Sequence, residues 1–335
     1  MFGMELYELF NFTRQAGLAL AGATSLWALV FLWRARKSEG EKKKALEWAA
    51  NRLLLAFSVA FGAAAFSWFV LWNIWPVLAH EGITLFPSGT EYRSAFLLTA
   101  PLYVGWILFT LGVLVCRKFR KEVFARFLLW FYGAQFLVVS VLISLYAWTG
   151  SALGGEQLFY YFHGFHSIFT LGTVLTLDFL FLSTRTALSL QRHLFPFFPA
   201  ISKIIFIGFG LDFLSVFLVF DTAVEFSARF FMAQTVVGIL IINGAFMAGP
   251  LTRKVLNGLA EGRLLAGTWR YIAGVAGAVS ITSWMTITFI DFFPRTAFSY
   301  TQLMGAYASV ILFGIVANFF IARLDERHLA SMAKP

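Results

Sequence analysis

Apolar runs recur along the whole chain, near 15–33, 51–78, 94–116, 124–149, 157–183, 198–220, 229–249, 271–291 and 301–322, separated by short polar connectors. An α-helix rising ~1.5 Å per residue needs roughly 20 apolar residues to cross a hydrocarbon core about 30 Å thick. Each run meets that length. The pattern therefore predicts an all-α, polytopic membrane bundle of nine transmembrane helices. No connector is long enough to form a separate soluble domain. The expected division is a first four-helix membrane unit over 1–150 and a second unit of five helices over 151–335.

Composition agrees with the pattern. Hydrophobic residues make up 59% of the chain and charged residues only 13%, about half the charge of an ordinary soluble domain. The formal net charge of +9 raises nucleic acid and anionic lipid as partners, and its distribution decides between them. The positive residues lie in short connectors between apolar runs, which favours the lipid bilayer over nucleic acid. The single cysteine, Cys116, excludes an internal disulfide and a multi-thiolate metal site.

The basic connectors are RARKSEGEKKK (34–44), RKFRKE (117–122), STRTALSLQRH (183–193), LTRKVLNGLAEGRLLAGTWR (251–270) and the tail ARLDERHLASMAKP (322–335). With nine spans all of these fall on one face. Of the 26 lysines and arginines, only Arg14, Arg93, Arg229 and Arg295 fall on the other. The positive-inside rule makes the basic face cytoplasmic, with the N-terminus outside and the C-terminus inside. The first run is not read as a signal peptide, because Glu5 and Glu8 precede it and its basic residues follow it. Trp27, Trp33, Trp72, Trp75, Trp106, Trp130, Trp148 and Trp269 fall mostly near helix ends and are expected to anchor at the interface.

Residues 9–36 and 158–185 share a polar-aromatic start, a central glycine and a terminal arginine. Four spans separate them, so they would form a parallel repeat of two four-helix units plus a ninth helix.

Ionisable groups inside a bilayer cost about 2.5 to 3.5 kcal/mol each on insertion scales and need a partner or a purpose. Counting turns from the cytoplasmic side puts Asp178 of span five and Lys203 of span six at one depth, with Asn243 of span seven nearby. An Asp178 to Lys203 ion pair is one reading. The other has Lys203 snorkelling to the surface and Asp178 bonding elsewhere. A second polar layer toward the outer face holds His163 and His166, spaced i and i+3 on one helix side, with Asp212 at a similar depth and Gln234 slightly above.

Neutral imidazole ligates haem iron or copper and also suits proton relay. Residues at i and i+3 cannot sit on opposite faces of one iron. A haem b held by His163 or His166 would take His80 as its partner, or have a single protein ligand. For copper, Met232 and Met304 are the soft ligands expected near the same face. A purely structural role for the histidines, as hydrogen-bonding groups near a helix end, stays open. No phosphate loop, positioned nucleophile or zinc motif is present.

The segments FHGFHSIFTLGTVLTLDFLF, ISKIIFIGFGLDFLSVF and FFMAQTVVGILIINGAFMAGPL resemble the bacterial inner-membrane helix bundles of the copper-resistance D type. The matching positions are His163 or His166, Gly172 and the Asn243–Gly244 pair, over roughly 160–250. The resemblance implies a four-helix unit associated with haem or copper. The first half has Arg14 where a matching histidine would stand.

Three functions follow as expectations. The first is a redox or electron-transfer component with His163 and His166 at the cofactor and Asp212 orienting them. The others are a small-solute or ion transporter or channel, and a structural subunit among other membrane subunits. The topology makes its own prediction: single cysteines placed in 34–44 and in 117–122 become accessible to an impermeant thiol reagent from the same side of the membrane. Labelling from opposite sides would overturn the nine-span topology.

Overall fold

The computed structural model describes the backbone of residues 2–80, 89–119, 121–149, 156–184, 187–219, 227–263, 265, 267–290 and 298–332, and the side chains of a narrower set. Among the described residues every regular element is helical: α1 (Phe2–Ala35), α2 (Gly40–His80), α3 (Gly89–Phe119), α4 (Lys121–Thr149), α5 (Glu156–Ser167), α6 (Thr173–Thr184), α7 (Leu188–Leu194), α8 (Phe198–Val219), α9 (Ala228–Phe246), α10 (Thr252–Ala260), α11 (Thr268–Ile290) and α12 (Tyr300–Met332). A π-turn at Ile168–Gly172 joins α5 to α6, and a second at Met247–Leu251 joins α9 to α10. Among the described residues nine helical stretches are long and apolar enough to cross a membrane: Leu9–Ala35, Gly40–Asn73, Leu97–Val115, Phe127–Tyr146, Gly164–Thr184, Leu188–Leu211, Ala228–Ala260, Thr268–Ile290 and Tyr300–Leu324. Each overlaps one of the nine apolar runs, and the chain is an all-α membrane protein.

Two compact units divide it: Met1–Thr176 with Ile204–Ala223, and Leu177–Lys203 with Val224–Pro335. In the first unit α1 packs against α2, α4, α5 and the first π-turn, while α3 and α4 pack on each other. Small residues make this possible, since lipid is as apolar as leucine and helices associate best where their backbones can approach. A Cβ at Gly17 would lie 2.7 Å from the Ala60 carbonyl oxygen and 3.0 Å from the Ala64 Cβ. Around this seam Leu18, Phe57, Phe61, Trp68, Tyr103, Val139, Leu142 and Ile168 form one buried cluster. Several polar side chains of this unit are paired inside it. Trp68 Nε1 donates to Thr99 Oγ1 at 3.0 Å, Tyr146 hydroxyl to Tyr103 hydroxyl at 3.1 Å, and Tyr132 hydroxyl to the Ala50 carbonyl at 2.5 Å. The Arg14 guanidinium lies 4.1 Å from the centre of the Tyr146 ring, which offers a cation a negative π-face.

Trp27 corrects the interfacial expectation. It is 1% exposed, and its Nε1 donates to Thr173 Oγ1 at 3.3 Å. Alanine and glycine neighbours on α1 leave room for an indole inside the bundle. Trp33 keeps the expected kind of place: it is exposed, with Lys37 Nζ at 4.0 Å from its ring.

In the second unit α9, α11 and α12 pack together. Met232, Val236, Ile290 and Tyr307 are buried there, with Leu303, Met304 and Ile287 against them. Ser283 Oγ and Tyr307 hydroxyl lie 2.7 Å apart. The π-turn at Met247–Leu251 has an identifiable cause. Pro250 has no N–H to donate to the Phe246 carbonyl, and its ring crowds that group. Thr252 Oγ1 then donates to the Met247 carbonyl at 2.7 Å. Helix α10 ends where Gly262 takes a left-handed conformation (φ 73°), with Arg263 N–H bonded to the Gly258 carbonyl and Gly262 N–H to Leu259. This cap satisfies carbonyls left over at a helix end.

The internal repeat finds no support. The first copy lies in a continuous α-helix, whereas the second is interrupted by a π-turn.

The packing yields a prediction. A Cβ at Gly172 would strike the Ala19 main chain and come within 2.9 Å of the Ala23 Cβ, while one at Gly62 meets nothing within 4 Å. Gly172→Ala is therefore expected to lower stability by about 1–3 kcal/mol through overpacking. Gly62→Ala should hold or raise it by up to ~1 kcal/mol. Thermal unfolding of both variants in detergent checks this, and equal behaviour would refute it.

Candidate functional site around His166

Helix α5 carries His166 in its last turn and passes directly into the first π-turn. A π-turn holds an extra residue, which rotates everything after it by about 100° and widens the ring of main-chain groups. Here Thr173 compensates. Its N–H and its Oγ1 both reach the Ile168 carbonyl, the hydroxyl at 3.0 Å. The same oxygen accepts from Trp27 Nε1. On the opposite strand of the contact, a Cβ at Gly22 would come within 2.7 Å of Ile168 Cδ1. The irregular turn is thus held from α1 at Gly22, Trp27 and, through Gly172, Ala19.

The His166 imidazole is held from two directions. Nδ1 lies 3.1 Å from the Gly208 carbonyl oxygen on α8 and 3.4 Å from Thr170 Oγ1. Thr170 gives its own hydrogen to the His166 carbonyl at 2.8 Å, so its oxygen faces Nδ1 as an acceptor. Two acceptors at Nδ1 place the proton there in the neutral ring and the basic lone pair on Nε2. Gly208 is what lets the α8 carbonyl come so close. A Cβ there would collide with Thr170 Cγ2 and sit 3.1 Å from Phe169 Cβ.

The remaining candidates are distributed as follows. The side chains of His163, His80 and Asp212 lie outside the described residues. Gly208, four residues before Asp212, is the α8 group that meets His166. Asp178 is partly buried, and its Oδ2 is enclosed with no hydrogen-bond partner. Lys203 is exposed, and among the described residues no ion pair joins it to Asp178. Asn243 Nδ2 donates to the Ala276 carbonyl at 2.9 Å and to Met247 Sδ at 3.6 Å. Gln234 is exposed. Met232 and Met304 pack in one apolar cluster of the second unit, whereas His166 belongs to the first.

A ligating histidine characteristically donates its other ring N–H to a carbonyl or carboxylate, which fixes tautomer and orientation. His166 fits that requirement. Among the described residues no group of three or more His, Cys, Asp or Glu comes together. Three participants were not visible in the residue types: the Gly208 main chain, Thr170 and Thr173. The spacing Thr170, Thr173, Thr176 was the available signal, since each hydroxyl bonds a carbonyl of its own helical segment.

Thr173→Val removes the hydroxyl, leaving the Trp27 indole N–H without its partner and the Ile168 carbonyl with only the Thr173 N–H. A loss of about 1–3 kcal/mol follows from unsatisfied buried groups, and Thr173→Ser should recover most of it. Thermal unfolding followed by Trp fluorescence measures both. A neutral Thr173→Val would show that the turn does not depend on this hydroxyl.

Comparison with protein-family models, with curated proteins and with solved structures finds no match to this chain, so its function has to be argued from its own residues.

Proposed function

We propose that the chain is a membrane redox or electron-transfer component that binds haem b through His166, in an inner membrane with the basic connectors cytoplasmic. The observation that carries the reading is the Nδ1 contact to the Gly208 carbonyl, 3.1 Å long and set beside a π-turn. It fixes the ring's tautomer and limits its rotation. π-turns are rare and concentrate at functional sites, and a polar group at membrane depth calls for a purpose. When bound, a haem supplies one-electron transfer through its iron. The chain's own part would be to hold Nδ1–H on a carbonyl and so set the plane and tautomer of the ring. His163 and His80 are the candidates for a second ligand, with Asp212 as an orienting group. Copper is the alternative metal.

An absorption spectrum with elemental analysis tests the reading. The purified protein should show a Soret band with stoichiometric iron. His166→Ala should abolish the band, and Gly208→Val should weaken it by displacing the carbonyl that orients the ring. Stoichiometric copper without a Soret band would move the assignment to copper. A colourless, metal-free preparation from cells supplied with haem precursors and copper would overturn both.

A further inference from the structure

The cofactor reading uses no group of the second unit, yet that unit holds an acid at membrane depth. Asp178 lies on α6 within the span Gly164–Thr184. The residue keeps partial exposure while its Oδ2 is enclosed and makes no hydrogen bond.

Two hydroxyls near it on the same helix are engaged elsewhere. Thr176 Oγ1 donates to the Gly172 carbonyl at 2.7 Å and Thr184 Oγ1 to Leu180 at 2.9 Å. One turn away on either side stand Val174, Leu175, Phe181 and Leu182, and Phe181 packs against Phe195 with ring centres 6.0 Å apart. The second unit's other described charged and titratable groups, among them Lys203, Arg192, His193, Arg253 and Lys254, form no ion pair with Asp178. Among the described residues an ionised carboxylate in this place would have neither a donor nor a cation to offset its desolvation. The neutral acid avoids the larger cost of desolvating a charge.

We propose that Asp178 is a proton-binding site inside the bilayer, a carboxyl that holds a proton rather than a structural counter-ion. Its ligand class is the proton, and the site gives the second unit the means to take up a proton within the membrane. This stands apart from the haem assignment, since it uses no residue of the His166 site.

A hydrophobic carbodiimide reads this state. The O–H of a neutral carboxylic acid adds across one C=N bond of the reagent: a C–O bond forms, the proton goes to nitrogen, and the O-acylisourea rearranges by an oxygen-to-nitrogen acyl shift to a stable N-acylurea. Nothing leaves and nothing is oxidised. The full chain in native membranes should be treated with dicyclohexylcarbodiimide at neutral pH and mapped by peptide mass spectrometry.

The expected result is an adduct at residue 178 that is lost in Asp178→Asn and kept in Asp178→Glu. It should fall as the pH is raised into the alkaline range and be insensitive to Lys203→Ala. No adduct at 178 in protein that elutes as a folded monodisperse species would overturn the proposal. So would a gain of labelling in Lys203→Ala, because that lysine would then be holding the acid ionised. Protection by sodium or potassium at constant pH would reassign the site to an alkali cation and equally refute it.

Discussion

At Gly172 the main chain of span five comes up against the main chain of α1 at Ala19, with no side chain between them. Two helices in lipid gain little from burying apolar surface against one another, so contact of this kind, where dispersion and dipoles act at short range, has to supply the cohesion. The contact also fixes register. With Gly172 seated on Ala19, Ile168 reaches Gly22 and Thr173 reaches Trp27. His166, one turn earlier, then has its Nδ1 on the Gly208 carbonyl. The position of the histidine ring thus descends from a missing Cβ.

Hydrocarbon offers no water to satisfy a main-chain group that a helix fails to bond. Both π-turns meet that demand by the same device. Thr173 serves the Ile168 carbonyl and Thr252 serves the Met247 carbonyl, each from five residues downstream. A threonine side chain on a helix already tends to bond back to an earlier carbonyl, so the irregular turn needs no special residue beyond one hydroxyl at the right spacing. The two turns differ in origin. Proline forces the second, while the first contains no proline and coincides with the close approach of α1.

The membrane class and the nine spans were legible because they follow from length and mean polarity, which any twenty-residue window reports. The histidine site was legible only in part. His166 stood out as an ionisable ring in an apolar run, but its partner turned out to be a backbone carbonyl, and a carbonyl has no signature in residue types. Trp27 shows the same limit in reverse. Its place near an expected helix end read as an interfacial anchor, yet the small residues around it on α1 enclose it. Depth along a span puts Asp178 and Lys203 at one level and leaves both an ion pair and a snorkelling lysine open, because depth says nothing about which way a side chain points around the helix axis.

The tight reversal between α1 and α2 bears on how the protein reaches its folded form. Only Arg36 to Glu39 separate the two helices, and Gly40 turns the chain with a positive φ. Contacts between segments so near in sequence close quickly, because little loop entropy is lost in forming them. The two helices can therefore pair as a hairpin during synthesis, as soon as His80 has emerged and before α3 exists. Every later segment of the first unit then docks onto a finished surface, with the glycine and alanine notches of α1 already facing outward to receive it.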